Sequence, residues 1–324
     1  MSKPDLVLIG RNEGARLERC LASAQGLARR LVYVDSGSTD ASVEKAEQAG
    51  AEVVHLDPSQ PFTAARARHA GFLHLEKSGG AAEIVQFIDG DCEIVEGWIP
   101  AGVKALEADP ALGLVTGWRS EMMPEASLYN ALCHVEWRRP AGEIMACGGD
   151  MMVRAEAYRN AGGFNAQVIA AEDDELCCRL RKTGHTLKRL PLEMTRHDAA
   201  MRRFGQWWQR AVRTGHGFEQ VNDLHPDYFK RERMRMWVYG GLLPLLALTG
   251  FLTSWWLVLG VAAVYAASYV RTVQGLQAHE NLAPADARRH AGLLTLSKLP
   301  NILGALRYRG RKWFGRDMSI IEYK

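Results

Sequence analysis

No CxxC pair occurs in this chain. Its six cysteines, Cys20, Cys92, Cys133, Cys147, Cys177 and Cys178, are scattered along 324 residues. That spacing excludes a zinc ribbon and argues against a disulfide framework, so reduced thiols in a cytosolic compartment are expected. Charge of one sign is also scarce. The formal net charge is +3, too little for general nucleic-acid binding, and no nucleic-acid partner is expected. The first residues lack the basic-then-apolar pattern of a secretory signal. There is no internal repeat and no low-complexity tract. With 47% hydrophobic and 24% charged residues, wholesale disorder is excluded.

The longest absence is of charge itself. From Trp237 to Val270, 34 residues carry none. One straight helix of that length would reach about 51 Å, against a bilayer core of about 30 Å. Two spans of about 17 residues are at the short limit of what crosses. Aromatic residues favour the hairpin: Trp237 and Tyr239 open the stretch, Trp255 and Trp256 mark its middle, and Tyr265 and Tyr269 close it. Thr253 and Ser254 supply the turn. Lys230, Arg231, Arg233 and Arg235 precede the stretch. Ten basic residues against four acids follow it. Both flanks are therefore expected on the cytoplasmic side of an inner membrane. A buried helical pair and a shallow re-entrant hairpin are the competing readings.

What the first half does contain is alternation. Leu6–Ile9, Leu31–Val34, Glu52–His55 and Ile84–Ile88 are short apolar runs separated by helical stretches, in one of which Leu17, Cys20, Leu21 and Ala24 share a face. This predicts an α/β fold with a parallel sheet, whose ligands bind at the strands' carboxyl ends. Polar clusters stand at those ends. The first strand runs into Asn12-Glu13. The second ends in Asp35-Ser36-Gly37-Ser38-Thr39-Asp40, which suits a ribose or base edge and equally suits helix capping. The fourth ends in Asp89-Gly90-Asp91, a hard-oxygen pair suited to Mg²⁺ or Mn²⁺ on substrate phosphates. Downstream, Glu172-Asp173-Asp174-Glu175 opens a helical pattern. Acids favour a helix start, but crowded like charges also raise one another's pKa, as a general base needs.

These motifs resemble, in order, those of family 2 glycosyltransferases: Asn12-Glu13, the run Val34–Asp40, Arg68 in Ala-Arg-His-Ala-Gly, Asp89-Gly90-Asp91, and Gly162-Gly163-Phe164 before Glu172-Asp173. The resemblance covers about residues 4–200. It implies a GT-A fold, Rossmann-like with a mostly parallel sheet, followed by a transmembrane hairpin and amphipathic interface helices. The implied divisions are a catalytic domain at 1–200, an interface region at 201–235, a hairpin at 236–270 and a basic cytoplasmic tail at 271–324. The hairpin and the tail, ending Ile320-Ile321-Glu322-Tyr323-Lys324, look like those of bacterial members that build surface polysaccharides.

The resemblance also implies roles. Asn12, Glu13 and Asp35 belong to the nucleotide-sugar donor site, with Asp35 on the base. Asp89 and Asp91 serve the metal and diphosphate, Asp91 being favoured as the direct ligand. Asp173 deprotonates the acceptor hydroxyl, giving inversion. His197 is either a further metal contact or a structural histidine. Arg66 and Arg68 either fork onto the diphosphate or base, or are surface helix charges. The implied activity is transfer from a UDP-sugar to a lipid-linked saccharide. A polyprenyl phosphate or simple glycolipid is the alternative acceptor, and an inactive membrane-tethered binding protein is the rival of another class.

Departures qualify this. Only one acid follows the second strand, Asp35-Ser36. His69 stands where the family has Asn. Gln206-Trp207-Trp208-Gln209-Arg210 does not match the processive Gln-x-x-Arg-Trp motif, so one sugar per acceptor is expected. Phe204, Trp207, Trp208, Ala211 and Val212 share a face ringed by arginines, which fits a helix in the membrane interface or a packed core stripe. Cys147-Gly148-Gly149-Asp150 is expected to form an acceptor-side loop.

Overall fold

A computed structural model describes residues 3–319, 321 and 322. Ile320, Tyr323 and Lys324 of the tail lie outside the described residues. Two compact units emerge. One holds the chain up to Met123 and Glu136–Ala200; the other holds Pro124–Val135 and Met201–Asp317.

The strands of the first unit are β1 (Asp5–Gly10), β2 (Leu31–Asp35), β3 (Glu52–His55), β4 (Ile84–Asp89), β5 (Cys92–Ile94), β6 (Leu112–Glu121), β7 (Gly142–Glu143), β8 (Met151–Arg154) and β9 (Thr186–His197). They form one sheet in the order β3-β2-β1-β4-β8-β6-β9-β5, with β7 on β9. The pairs β3–β2, β2–β1 and β1–β4 are parallel, as the alternating runs predict. Beyond β4 the sheet is mixed: β8 is antiparallel to β4 and β6, and β9 is parallel to β6.

Helices α1 (Ala15–Ala24), α2 (Ser42–Gln48), α3 (Ala64–Lys77) and α4 (Trp98–Ala108) accompany the strands, as do α6 (Ala155–Asn160) and α7 (Glu172–Lys182), while α5 (Leu128–Trp137) falls mostly in the second unit. Successive strand residues point to opposite faces, so each buried strand feeds two cores. Leu6, Leu8 and Tyr33 pack with Leu17, Cys20, Leu21 and Ala24 of α1 and Trp98 and Val103 of α4. Val7, Ile9, Val32 and Val34 pack with Phe72 and Leu75 of α3 and Leu176 and Leu180 of α7. Strands covered on both faces read as continuous apolar runs.

The second unit is helical: α8 (Phe204–Leu224), α9 (Lys230–Met236), a π-helical turn at Trp237–Leu242, α10 (Leu243–Thr253), α11 (Trp255–Glu280), α12 (Pro284–Leu296) and α13 (Lys298–Trp313). Its apolar stripe corrects one expectation. Trp207, Ala211 and Val212 are buried, and α8 packs along α13. The stripe is a packed face, not a free membrane-lying one; Phe204 alone among the large apolar residues of the stripe is exposed. The residues read as a basic tail form the end of α11 followed by α12 and α13. Glu219 of α8 accepts from Arg233 Nε at 3.0 Å, Trp237 Nε1 at 3.0 Å and Arg309 Nε at 2.8 Å, fixing α9, the π-turn and α13 to one carboxylate. Asp223 accepts from Tyr308 Oη at 2.6 Å and Lys312 Nζ at 2.5 Å.

Two helical stretches, Lys230–Thr253 and Trp255–Glu280, are long and apolar enough to cross a membrane. They outrun the uncharged segment at both ends, and Ser254 is the single non-helical residue between them.

Gly304 shows how closely α13 approaches α8: a Cβ there would run into the Val212 carbonyl. Backbone cannot yield as a side-chain tip can. Gly304→Ala is expected to cost about 1–3 kcal/mol by overpacking, read as a lower melting temperature of the detergent-solubilised chain. An unchanged melt would mean the two helices separate freely.

Candidate active site

The carboxyl ends of β2, β1 and β4 lie side by side, with Gly10 opposite Asp35 and Ile9 opposite Asp89. Asn12, at φ 57°, ties two loops together. Its backbone N–H donates to Ser38 Oγ at 3.0 Å, and its Oδ1 accepts from the Thr39 N–H at 2.7 Å. Glu13 pairs with Arg16 at 2.8 Å. Asp35 is buried, and its carboxylate accepts the N–H groups of Gly37 and Ser38 at 3.0 and 3.1 Å. These three residues shape the loop at the strand ends.

Arg66 and Arg68 part company. Arg66 donates to the carbonyls of Asp57, Gln60 and Pro61, so it braces its own loop instead of facing the acidic triplet. Arg68 is only 2% exposed and does not fork onto open space either. It donates to Asp89 Oδ1 at 2.5 Å and to Glu172 Oε1 at 2.8 Å. The surface-charge reading fails for Arg68, and its expected diphosphate fork is occupied by carboxylates.

Asp89 is held from both sides. Its other oxygen accepts from Arg119 of β6 at 3.2 Å, and its N–H donates to Asp150 Oδ1 at 3.0 Å. Burial pushes its carboxyl up, but Arg68 and Arg119 outweigh that and hold it below the ordinary value. Asp150 is buried and accepts further from Arg119 Nε at 2.9 Å and Thr195 Oγ1 at 2.6 Å. The Cys147–Asp150 loop thus backs the acidic pair. At Gly149 a Cβ would collide with the Arg68 guanidinium, which is why that position carries none.

Asp91 and His197 form a buried pair, with Oδ2 and Nε2 3.2 Å apart. His197 Nδ1 stands 4.0 Å from Glu121 Oε2, and the Trp137 ring meets the imidazole edge-on at 4.7 Å. Ligand atoms of Asp91, Cys92 and His197 converge within 4.8 Å, as do those of Asp89, Cys92 and Asp150. The carboxylates and the imidazole suit Mg²⁺ or Mn²⁺. Cys92 does not: burial and Asp150 push its thiol well up, so it stays protonated and soft.

Asp173 is the second residue of α7. Ala171, which caps that helix, sits at φ 57°, a conformation costly for a residue with a Cβ. The Gly162-Gly163-Phe164 turn upstream is held by Tyr158, whose Oη accepts the Phe164 N–H at 3.0 Å and lies 3.1 Å from His69 Nδ1. His69 therefore supports the Gly162-Gly163-Phe164 turn. Burial, then the neighbouring Glu172 charge, push the Asp173 carboxyl up to about 6, against the pull of Arg68. The sequence reading missed Arg119 and Trp137, read Asp150 only as part of an acceptor-side loop, and gave Glu172 no separate role.

A carboxyl raised in the folded state binds its proton there more readily than in the unfolded chain. Stability from this group is then greatest below about pH 4 and is lost as pH rises through about 6. Asp173→Asn should accordingly raise stability at pH 8 by about 1–2 kcal/mol, with the gain shrinking toward pH 4. Melting curves across that range check it; a loss at pH 8 would show that the charged form is stabilised.

Residues 5–156 match the model of Glycosyl transferase family 2. The Pre-mycofactocin glycosyltransferase of Mycobacterium tuberculosis is 28% identical over 240 residues, 68% of this chain and 48% of that protein. The chain thus spans about half the length of that relative. Glycosyltransferase AglE of Haloferax volcanii is 26% identical over 249 residues, 72% of this chain and 79% of that protein. The mannosyltransferase PcManGT from Pyrobaculum calidifontis, in complex with GDP-Man and Mn²⁺, superposes with a TM-score of 0.61 at 18% identity, covering 96% of this chain and 89% of that one. At that identity the likeness is one of fold. Residues 5–156 are a family 2 glycosyltransferase domain built on the GT-A fold.

Proposed function

We propose that this chain transfers one sugar from a nucleotide-sugar, a UDP-sugar, to a hydroxyl of a lipid-linked saccharide, with inversion, in bacterial envelope or exopolysaccharide assembly. One observation carries the reading. Asp91 and His197 pair at 3.2 Å at the carboxyl end of the sheet, with Asp89 beside them and the acidic turn of α7 reached through Arg68. The donor occupies the ends of β1, β2 and β4, against Asn12, Glu13 and Asp35. UDP is proposed on the family resemblance; the Pyrobaculum neighbour holds GDP-Man.

Asp91 and His197 would hold the divalent cation, since both oxygens of Asp89 already accept from Arg68 and Arg119. When bound, Mn²⁺ or Mg²⁺ offsets charge on the departing diphosphate. Asp173, with a pKa of about 6, is ionised at neutral pH yet still basic, as a general base should be. It takes the acceptor hydroxyl's proton. The hydroxyl oxygen bonds to the anomeric carbon as the bond to the diphosphate oxygen breaks, and the electron pair leaves with the diphosphate.

The apolar stretches Lys230–Thr253 and Trp255–Glu280 form the proposed anchor, with the catalytic domain at the cytoplasmic face of the inner membrane. In the most apolar window of each only 22% and 6% is buried. A soluble core helix would be covered, whereas Leu248, Leu252 and Trp256 are exposed.

Two experiments test this. Asp173→Asn should lower turnover by about 10²–10⁴ while UDP affinity with Mn²⁺, measured by calorimetry, stays near wild type. Wild-type turnover should fall as pH drops below about 6, and Asp174→Asn, turned about 100° round the helix, should remain active. A dead Asp174→Asn beside an active Asp173→Asn would identify the wrong carboxylate.

The second concerns the anchor. Full-length protein should stay with membranes in high salt and carbonate and leave only in detergent. Release by salt alone would mean peripheral attachment through the basic residues.

A further inference from the structure

Three arginines of the catalytic unit stand outside the acidic network. Arg138 lies over the Trp118 ring, 5.0 Å from its centroid. Arg139 donates through Nε to the Glu136 carbonyl at 2.9 Å, and its own carbonyl accepts from Trp118 Nε1 at 2.8 Å. Arg189 of β9 is 7% exposed. Among the described residues its guanidinium reaches only the Pro140 carbonyl, at 3.3 Å, and its buried Nε has no partner. Among the described residues none of the three pairs with a carboxylate, in contrast to Arg68 and Arg119 nearby.

Buried cations are normally paired. Burial pulls the Arg189 pKa below the ordinary value, and Arg139 pulls it the same way. A buried guanidinium with a free donor beside two exposed ones is a site short of negative charge. Its location follows from β6. Irregularities in the β6–β9 register surround Trp118, and Arg119, the next residue, reaches Asp89 and Asp150. Trp137, packed on Arg119 at 5.6 Å and edge-on to His197, leads directly into Arg138 and Arg139. The cluster therefore adjoins the acidic centre on the β6–β9 side, away from the β1 and β2 ends proposed for the donor.

We propose that Arg138, Arg139 and Arg189, with the Trp118 indole, form an acceptor subsite for a sugar carried on a lipid diphosphate. This rests on the glycosyltransferase reading and names its acceptor. Three unneutralised cations match the two charges of a diphosphate diester better than the single charge of an acidic sugar. Arginine forks suit phosphate oxygens, and an indole face suits the adjoining sugar or isoprene unit.

The test uses full-length protein in detergent micelles and two probes of equal chain length: a farnesyl-diphosphate-linked hexose and the farnesyl hexoside without the diphosphate. Wild type should bind the diphosphate probe at least about tenfold tighter, the worth of one charge-assisted hydrogen bond. The exposed double variant Arg138→Gln/Arg139→Gln should lose most of that preference while UDP affinity with Mn²⁺ is unchanged. Arg189→Lys should keep part of it, and Arg189→Gln little. Equal binding of the two probes by wild type would overturn the proposal, as would a preference that survives in the double variant. Weakened UDP binding in the double variant would assign the arginines to the donor, and inorganic diphosphate binding as tightly as the lipid probe would make the site one for a free anion. Failure of wild type to bind UDP at all would instead unseat the glycosyltransferase reading itself.

Discussion

The guanidinium of Arg68, enclosed between Asp89 and Glu172, is the contact around which the catalytic end of the sheet is organised. Burying one charge is costly, and it is tolerated only where partners neutralise it with good geometry. Here the partners come from the end of β4 and the start of α7, 83 residues apart in sequence. A second arginine, Arg119, repeats the device between Asp89 and Asp150. The result is an alternating row of acid and base in which removal of any one member strands its neighbours. That is why Gly149 must lack a side chain. The row keeps Asp89 ionised while burial and Glu172 leave Asp173 with a raised affinity for its proton.

Much of the parallel half was legible in the sequence. Three apolar runs buried on both faces, with a half-buried fourth at the sheet edge, point to a sheet flanked by helices, and the polar residues that follow each run had to stand at one edge. The antiparallel half was not. β6 is irregular around Trp118, so no clean alternation marks it, and β8 is only four residues long. Arg119 was missed for that reason, and Asp150 was read only as part of an acceptor-side loop: nothing near them in sequence says that their side chains meet. Arg66 and Arg68 could have been separated beforehand. Residues two apart on a helix differ by about 200°, so at most one faces the sheet.

The helical unit misled in an instructive way. An apolar stripe ringed by arginines is the pattern of a helix lying on a lipid surface, and equally of one covered by another helix. Sequence periodicity reports only that a face is apolar. The cover on α8 is α13, whose close approach depends on Gly304 and on the acids Glu219 and Asp223. Those acids look like solvated charges in the sequence, but Glu219 gathers donors from α9, the π-turn and α13, and Asp223 takes two from α13.

The π-helical turn at Trp237–Leu242 has a bearing on how the two arms of this chain tolerate changes in length. A π-turn widens the helix by one residue and leaves a carbonyl without its usual donor. The Tyr265 hydroxyl of α11 donates to the Tyr239 carbonyl, and the two rings pack 5.9 Å apart. In a hydrocarbon setting no water can replace that bond. Adding or deleting a single residue between Tyr239 and the tip would swing the arms out of register by about 100°. The two arms are thus keyed to each other like a zip with one fixed tooth, and only the tip at Ser254 is free to grow or shrink.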